Sequence, residues 1–129
     1  MKDRIKPRVL RHSELELFPG RVINEGGDLR LLSGSDFGLG TSIMVSRVAP
    51  GSGPRRHRHP HAEIFVLHEG QGRFEVDGTY LDAEAGDAVI IPPEAWHSFT
   101  NTGTSPMRHV AIHENQRAVS EFEDGSRRD

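Results

Sequence analysis

Eight histidines occur in 129 residues, and seven of them fall between positions 57 and 113. Histidine is the commonest metal ligand, so the first question is whether their spacing has order. The stretch from Gly51 to Gly70 reads GSGPRRHRHPHAEIFVLHEG. His57 and His59 are two apart and share one face of an extended strand. Glu63 follows four residues after His59, past a turn that Pro60 can start. Two nitrogen donors and one oxygen donor are then aimed at one place. A fourth donor is available in His97, just after the apolar AVII run that Pro92 and Pro93 close. Three neutral imidazoles and one carboxylate around a divalent ion leave a net charge of about +1 and open positions for water, substrate or dioxygen. The same residues admit a plainer reading. His-x-His pairs arise by chance, and a histidine-rich loop can be exposed and inert.

These residues need rigid elements to hold them, and the sequence supplies strands. TSIMVSRVA (41–49) is rich in β-formers and ends at Pro50–Gly51. EIFVLHE (63–69) is closed by Gly70. FEV and TYL flank Asp77–Gly78, the strongest hairpin signal in the chain, which suits a tight type I′ turn. AVII (88–91), residues 96–100 and RHVAIH (108–113) complete the set. Leu29, Leu31 and Leu32 mark a short strand among glycines, and Leu15 and Leu17 a weak one. Only residues 115–123 read as helical, with Ala118, Val119 and Phe122 spaced for one apolar face. Residues 1–11 read as a basic, solvated arm and 123–129 as a frayed tail. Many short strands with regular turns predict a sandwich or barrel.

Length and composition bound the rest. A chain of 129 residues holds one domain, with no room for an appended DNA-binding module. Fourteen glycines, eight proline residues and 6% aromatics suit strands and turns better than a helix bundle. The net charge of −3 gives no reason to expect nucleic acid. Cysteine is absent, which excludes disulfides and thiolate chemistry and fits a reducing cytoplasm. No apolar run approaches the roughly 20 residues of a membrane span or forms a signal segment.

Taken together, the two histidine segments resemble the motifs of the cupin superfamily. The first motif, G-x5-H-x-H-x3–4-E-x6-G, is met by Gly51, His57, His59, Glu63 and Gly70. The second, G-x5-P-x-G-x2-H-x3-N, is met by Gly86, Pro92, His97 and Asn101, with Glu94 standing where the family has glycine. Fifteen residues separate the motifs, as in compact bacterial cupins. The departure at Glu94 bears on a turn, where glycine relieves a backbone constraint.

This resemblance implies an all-β fold: an antiparallel β-barrel or jelly roll (double-stranded β-helix) with at most one short C-terminal helix. The chain would be a single cupin domain, with a core barrel over about 39–114, an N-terminal arm over 1–38 and a tail over 115–129. It implies that His57, His59, Glu63 and His97 hold one divalent transition metal per chain, whether Fe, Mn, Ni, Zn, Co or Cu. Phe65, Leu67 and Phe99 continue the faces of Glu63 and His97 and would line the pocket. His109 and His113 share a face with Ala111; if that face is interior, they are polar pocket groups. His61 is in phase with the first pair, as a fifth donor or proton shuttle, whereas His68 should face outward. Trp96 reads as a packing or interface residue, and Arg55, Arg56 and Arg58 as loop arginines or as anion receptors at the mouth. Two functions follow. One is a metal-dependent enzyme on a small organic molecule, dioxygenase-, isomerase- or cyclase-like, with Glu63 as a base. The other is a non-catalytic metal-dependent binding or sensing module. A cytoplasmic homodimer with no membrane or nucleic-acid partner completes the expectation.

Overall fold

A computed structural model describes residues 5–18 and 27–128. The strands in chain order are β1 (Glu16–Leu17), β2 (Asp28–Leu32), β3 (Ser42–Val48), β4 (His57–Arg58), β5 (Glu63–Glu69), β6 (Gln71–Val76), β7 (Thr79–Glu84), β8 (Ala88–Ile91), β9 (His97–Thr100), β10 (Met107–His113), β11 (Ser120–Phe122) and β12 (Arg127–Arg128). They form two six-stranded antiparallel sheets, ordered β1-β2-β3-β10-β5-β8 and β12-β11-β4-β9-β6-β7. The all-β expectation holds, and the strand order is that of a jelly roll. The Asp77–Gly78 turn is of type I′, with φ of 46° and 88° at its two residues. Gly70 joins β5 to β6 at φ +81°, and a Cβ there would lie 2.7 Å from the Pro106 carbonyl oxygen, so no other residue fits.

Register stacks the inward side chains in layers. Ser42, His113, Glu63 and Ile91 are cross-strand partners at one end of the first sheet. Met44, Ala111, Phe65 and Val89 form the next row, then Ser46, His109 and Leu67, then Val48 and Met107. All of these are buried. The barrel is therefore polar at the Glu63 end and hydrocarbon at the Met107 end, where Phe74 and Leu67 also pack. Such a gradient keeps ionisable groups off the best-packed part of the core, where their desolvation would cost most.

Three expectations need correction. Residues 115–123 form no helix; no α-helix occurs among the described residues. Ala118, Ser120 and Phe122 are buried while Val119 and Glu121 are only partly so, a period of two that places this stretch in β11. Burial on alternate residues against β4 won over a three-residue helical spacing too short to be decisive. The tail is likewise a hairpin: Ser120 and Glu121 pair with Arg128 and Arg127. On the N-terminal side, β2 pairs along its whole length with β3, so part of the expected arm is sheet. Residues 1–4 and 19–26 of that arm lie outside the described residues.

Candidate metal centre

Four strands or strand ends bring the donors together. His57 on β4 is the register partner of His97 on β9. Glu63 opens β5 beside His113 on β10. His59 sits in the turn between β4 and β5, and this turn is fixed from below by the Glu94 amide, which donates to the His59 carbonyl at 2.7 Å. Glu94 has φ +66°, the left-handed conformation that a glycine would adopt without strain. Its side chain is exposed and lies 3.7 Å from Arg58, outside the site.

The three imidazoles share one hydrogen-bond arrangement. The Nδ1–H of His57 donates to the Arg55 carbonyl (2.7 Å), that of His97 to the Ala95 carbonyl (2.8 Å), and that of His59 to the Val119 carbonyl (2.7 Å). A carbonyl can only accept, so each ring carries its proton on Nδ1 and turns Nε2 inward. The ring centroids are 4.4–5.0 Å apart. Glu63 Oε1 lies 3.0 Å from His59 Nε2 and 3.1 Å from His97 Nε2. Two donors each about 2.1 Å from one ion and at right angles to each other are about 3.0 Å apart, so the observed spacing fits ligands of a common cation. His59 Nε2 is fully buried and has no hydrogen-bond partner of its own, which again fits a cation.

Electrostatics agree with this fit. Burial first, then neighbouring His97 and His59, push His57 down to about 3, so its ring is neutral and free to ligate. Burial works to raise Glu63, but His113, His59 and His97 outweigh it and hold the carboxylate well below its ordinary range. A carboxylate so held is a good ligand and a weak base.

A cavity of about 50 Å3 lies over these groups. Phe18, Met44, Phe65, Phe99 and Ala111 give it apolar walls, and His57, His59, Glu63 and His113 its polar end. Phe65 and Phe99 thus face the cavity, as do His109 and His113, whose shared face is interior. Leu67 does not line it, although it is the register partner of His109: it is inward and 1% exposed, packed into the core. His109 packs against Phe65 and Phe99 at 5.2 and 5.3 Å, and its buried Nδ1 has no partner. Burial pushes its pKa down to about 4, against the pull of Glu63.

His61 is buried, with Nε2 3.0 Å from His113 Nδ1, and His68 is exposed. The arginines near the mouth are engaged by carboxylates: Arg56 by Glu75 and Glu123, Arg58 by Glu121, Arg55 by Asp124. Arg58 also covers Trp96, 4.5 Å from its ring centroid, which makes Trp96 a packing residue. The sequence reading missed the contribution of β11 and of Val119, the residue before it. Val119 ties His59, Ser120 Oγ stands 3.3 Å from the same ring nitrogen, and Phe122 pairs with His57. The run AVSEF (118–122) lacks apolar–polar alternation, so its period-two burial left no clear signal in the sequence.

Comparison with known proteins accords with this architecture. The Cupin domain family profile matches residues 44–113. The chain is 34% identical over 111 residues to a Streptomyces cyaneus protein named polyketide synthase CurC, covering 84% of this chain and 70% of that protein. It is 38% identical over 61 residues to gentisate 1,2 dioxygenase 1 of Aquipseudomonas alcaligenes, covering 46% of this chain but 18% of that enzyme. A point mutant of Bacillus subtilis oxalate decarboxylase superposes with a TM-score of 0.77 at 23% identity, over 89% of this chain and 32% of that one; at this identity the likeness is one of fold. With two sheets in jelly-roll order and both histidine motifs inside the matched region, this chain belongs to the cupin family.

Proposed function

We propose that the chain is a metal-dependent enzyme acting on a small organic molecule, with His57, His59, Glu63 and His97 holding one divalent first-row ion. The observation that carries this reading is the set of three imidazoles whose Nδ1–H groups are tied to backbone carbonyls, with Nε2 of His59 and His97 lying 3.0 and 3.1 Å from Glu63 Oε1. A bound ion would supply a Lewis acid and open coordination positions at the polar end of the cavity. The chain's own residues would do the rest. Phe65, Phe99 and Met44 would enclose an apolar or aromatic body and exclude water. His109, with its unpartnered Nδ1, would orient a hydroxyl or carbonyl oxygen of the substrate. The relatives named as a dioxygenase and a polyketide synthase support oxygenated, partly aromatic compounds as the substrate class and dioxygenase- or cyclase-like chemistry. The ion could be Fe, Mn, Ni, Zn, Co or Cu, since affinity order rather than function governs what expression loads.

A second reading has its own support. Glu63 is held ionised by three imidazoles and is a weak base, which suits metal-dependent binding or sensing without turnover. The deciding experiment loads the chain anaerobically with each metal and screens phenolic and dicarbonyl compounds. Oxygen uptake or metal-dependent product formation is expected; binding of these compounds to every loaded form without turnover would overturn the enzyme reading in favour of the binding module.

We further propose a homodimer formed through the outer face of the first sheet. Ile43, Ile112, Ile64 and Ile90 are successive cross-strand partners there, beside Val45, Val110 and Val66. Ile90 is 69% exposed and Val66 38%, an apolar row that water covers poorly. The absence of cysteine supports a cytoplasmic setting. No helix among the described residues is long and apolar enough to cross a membrane.

A further inference from the structure

We propose that His113 is a positioning residue for the metal centre: it holds one oxygen of Glu63, so that the carboxylate offers only Oε1 to the ion. This role rests on the reading of His57, His59, Glu63 and His97 as the ligands. Glu63 Oε1 lies 3.0 Å from His59 Nε2 and 3.1 Å from His97 Nε2, whereas Oε2 lies 3.2 Å from His113 Nε2. The carboxylate is thus shared between two surroundings, two ligand nitrogens at one oxygen and a further imidazole at the other. His113 is fully buried, and the β10–β5 register sets it directly opposite Glu63.

His113 differs from the three ligand histidines in where its proton sits. Those three donate Nδ1–H to backbone carbonyls and keep a lone pair on Nε2. The Nε2 of His113 instead faces a carboxylate oxygen, which can only accept, so the neutral ring carries its proton on Nε2 and donates it to Oε2. The other tautomer would set two buried lone pairs against each other. Nδ1 of His113 is then an acceptor, and the Nε2–H of His61 donates to it at 3.0 Å. The two contacts leave opposite sides of the His113 ring. Glu63, His113 and His61 therefore form a chain that leads away from the ion seat rather than a second seat. Its outer ring is fixed by stacking on His59, at 5.1 Å and 11°. The chain ends on the lone pair of His61 Nδ1, which is buried and unpartnered.

A ligating carboxylate held by an outer partner keeps one orientation, and loss of such a partner costs about 10–100-fold in metal affinity. A released Glu63 could turn both oxygens to the ion or swing away from it. Held by His113, it supplies one donor. The ligand set then contributes four donors in all, which leaves room on a first-row ion for an oxygen-bearing ligand from the cavity. His113 thus acts on the ion through Glu63, without touching it.

The test uses cobalt(II), whose visible spectrum reports the number and geometry of its donors. Two polar variants separate the two sides of the ring. His113→Gln keeps an N–H where Nε2 stood, towards Glu63. His113→Asn reaches only as far as Nδ1 and serves the His61 side. Circular dichroism checks the fold, and competition with a chromophoric chelator gives the cobalt affinity. His113→Gln should stay within about threefold of the parent, with the parent's spectrum. His113→Asn should bind about 10–100-fold more weakly, with an altered spectrum. In a Glu63→Ala background the Asn substitution should change affinity by less than about twofold, because no carboxylate is left to position. A full loss in that background would make His113 a ligand and overturn the positioning role. Parent-like affinity and spectra in both variants, or tighter binding by Asn than by Gln, also overturn it and leave the ligand reading standing. Cobalt-soaked crystals of the parent need no variant, so misfolding cannot mask the answer. They should show Oε1 alone on the ion and Oε2 on His113; both oxygens on the ion, or His113 Nε2 on it, overturns the proposal. No cobalt bound by the parent overturns both readings.

Discussion

His57 and His97 lie 40 residues apart in sequence, yet they are register partners on adjacent strands with ring centroids 4.4 Å apart. Removing either should therefore disturb one centre. His97→Ala empties a fully buried volume and takes a partner from Glu63. We expect loss of the metal equivalent and a stability loss of about 2–4 kcal/mol. Metal analysis at one equivalent and chemical denaturation check both. Full occupancy in His57→Ala and His97→Ala alike would rule out the four-residue ligand set.

Asn101 closes the second motif for a reason that has nothing to do with metal. Its Nδ2 donates to the Val48 and Ser105 carbonyls, each at 2.9 Å, and its Oδ1 accepts the Gly103 amide at 2.8 Å. Asn101→Ala strips three bonds at once, one of them buried and two partly so, and should cost about 2–4 kcal/mol with the metal affinity intact. Denaturant midpoints and a metal titration separate the two effects.

Glu94→Gly should stabilise. The left-handed backbone at φ +66° costs a β-carbon-bearing residue about 1 kcal/mol, and the exposed contact of 3.7 Å to Arg58 contributes little. A gain of about 0.5–1 kcal/mol, or about 2–4 °C in Tm, is expected. An unchanged or lower Tm would show that the loop uses the carboxylate.

His109 gives the fold an acid weakness. Its pKa falls from 6.5 in the unfolded chain to about 4 when buried. The unfolded state therefore binds the proton first as pH drops, so the stability is present above about 6.5 and is lost towards 4. This one group should remove about 2 kcal/mol between pH 7 and pH 5. His109→Leu should flatten the parent's stability–pH curve over that range; an unaltered slope would assign the acid sensitivity elsewhere.

The apolar row on the outer sheet face is tested by charge. Ile90→Lys with Val66→Lys should shift the mass seen by light scattering from a dimer to a single chain of 14.3 kDa. A parent that is already monomeric at micromolar concentration would remove the proposal.

The strands that carry His57, Glu63, His97 and His113 were legible because each has alternation or a turn signal at its ends. Asp77–Gly78 and Pro92–Pro93 punctuate the chain in ways few other structures tolerate. Residues 115–123 were misread because nine residues sample too few turns to separate a period of two from one of 3.6. Leu67 does not line the cavity although its register partner His109 does, and this was not legible, because alternation says which side faces in, not which inward side chain of a row reaches the open space. The pairing of His61 with His113, 52 residues later, depends on register between strands, which spacing within one strand does not carry.

The tie from His59 to Val119 spans 60 residues of chain. On the ribosome, at about 5–20 residues per second, Val119 follows His59 by roughly 3–12 s. His57 precedes His59, and in that interval Glu63, His97 and His113 are all synthesised, while the carbonyl that fixes the His59 ring is still missing. The nascent chain thus has its donors before it has their final orientation, and the residue that leads into β11 acts as the timer for a fully formed centre.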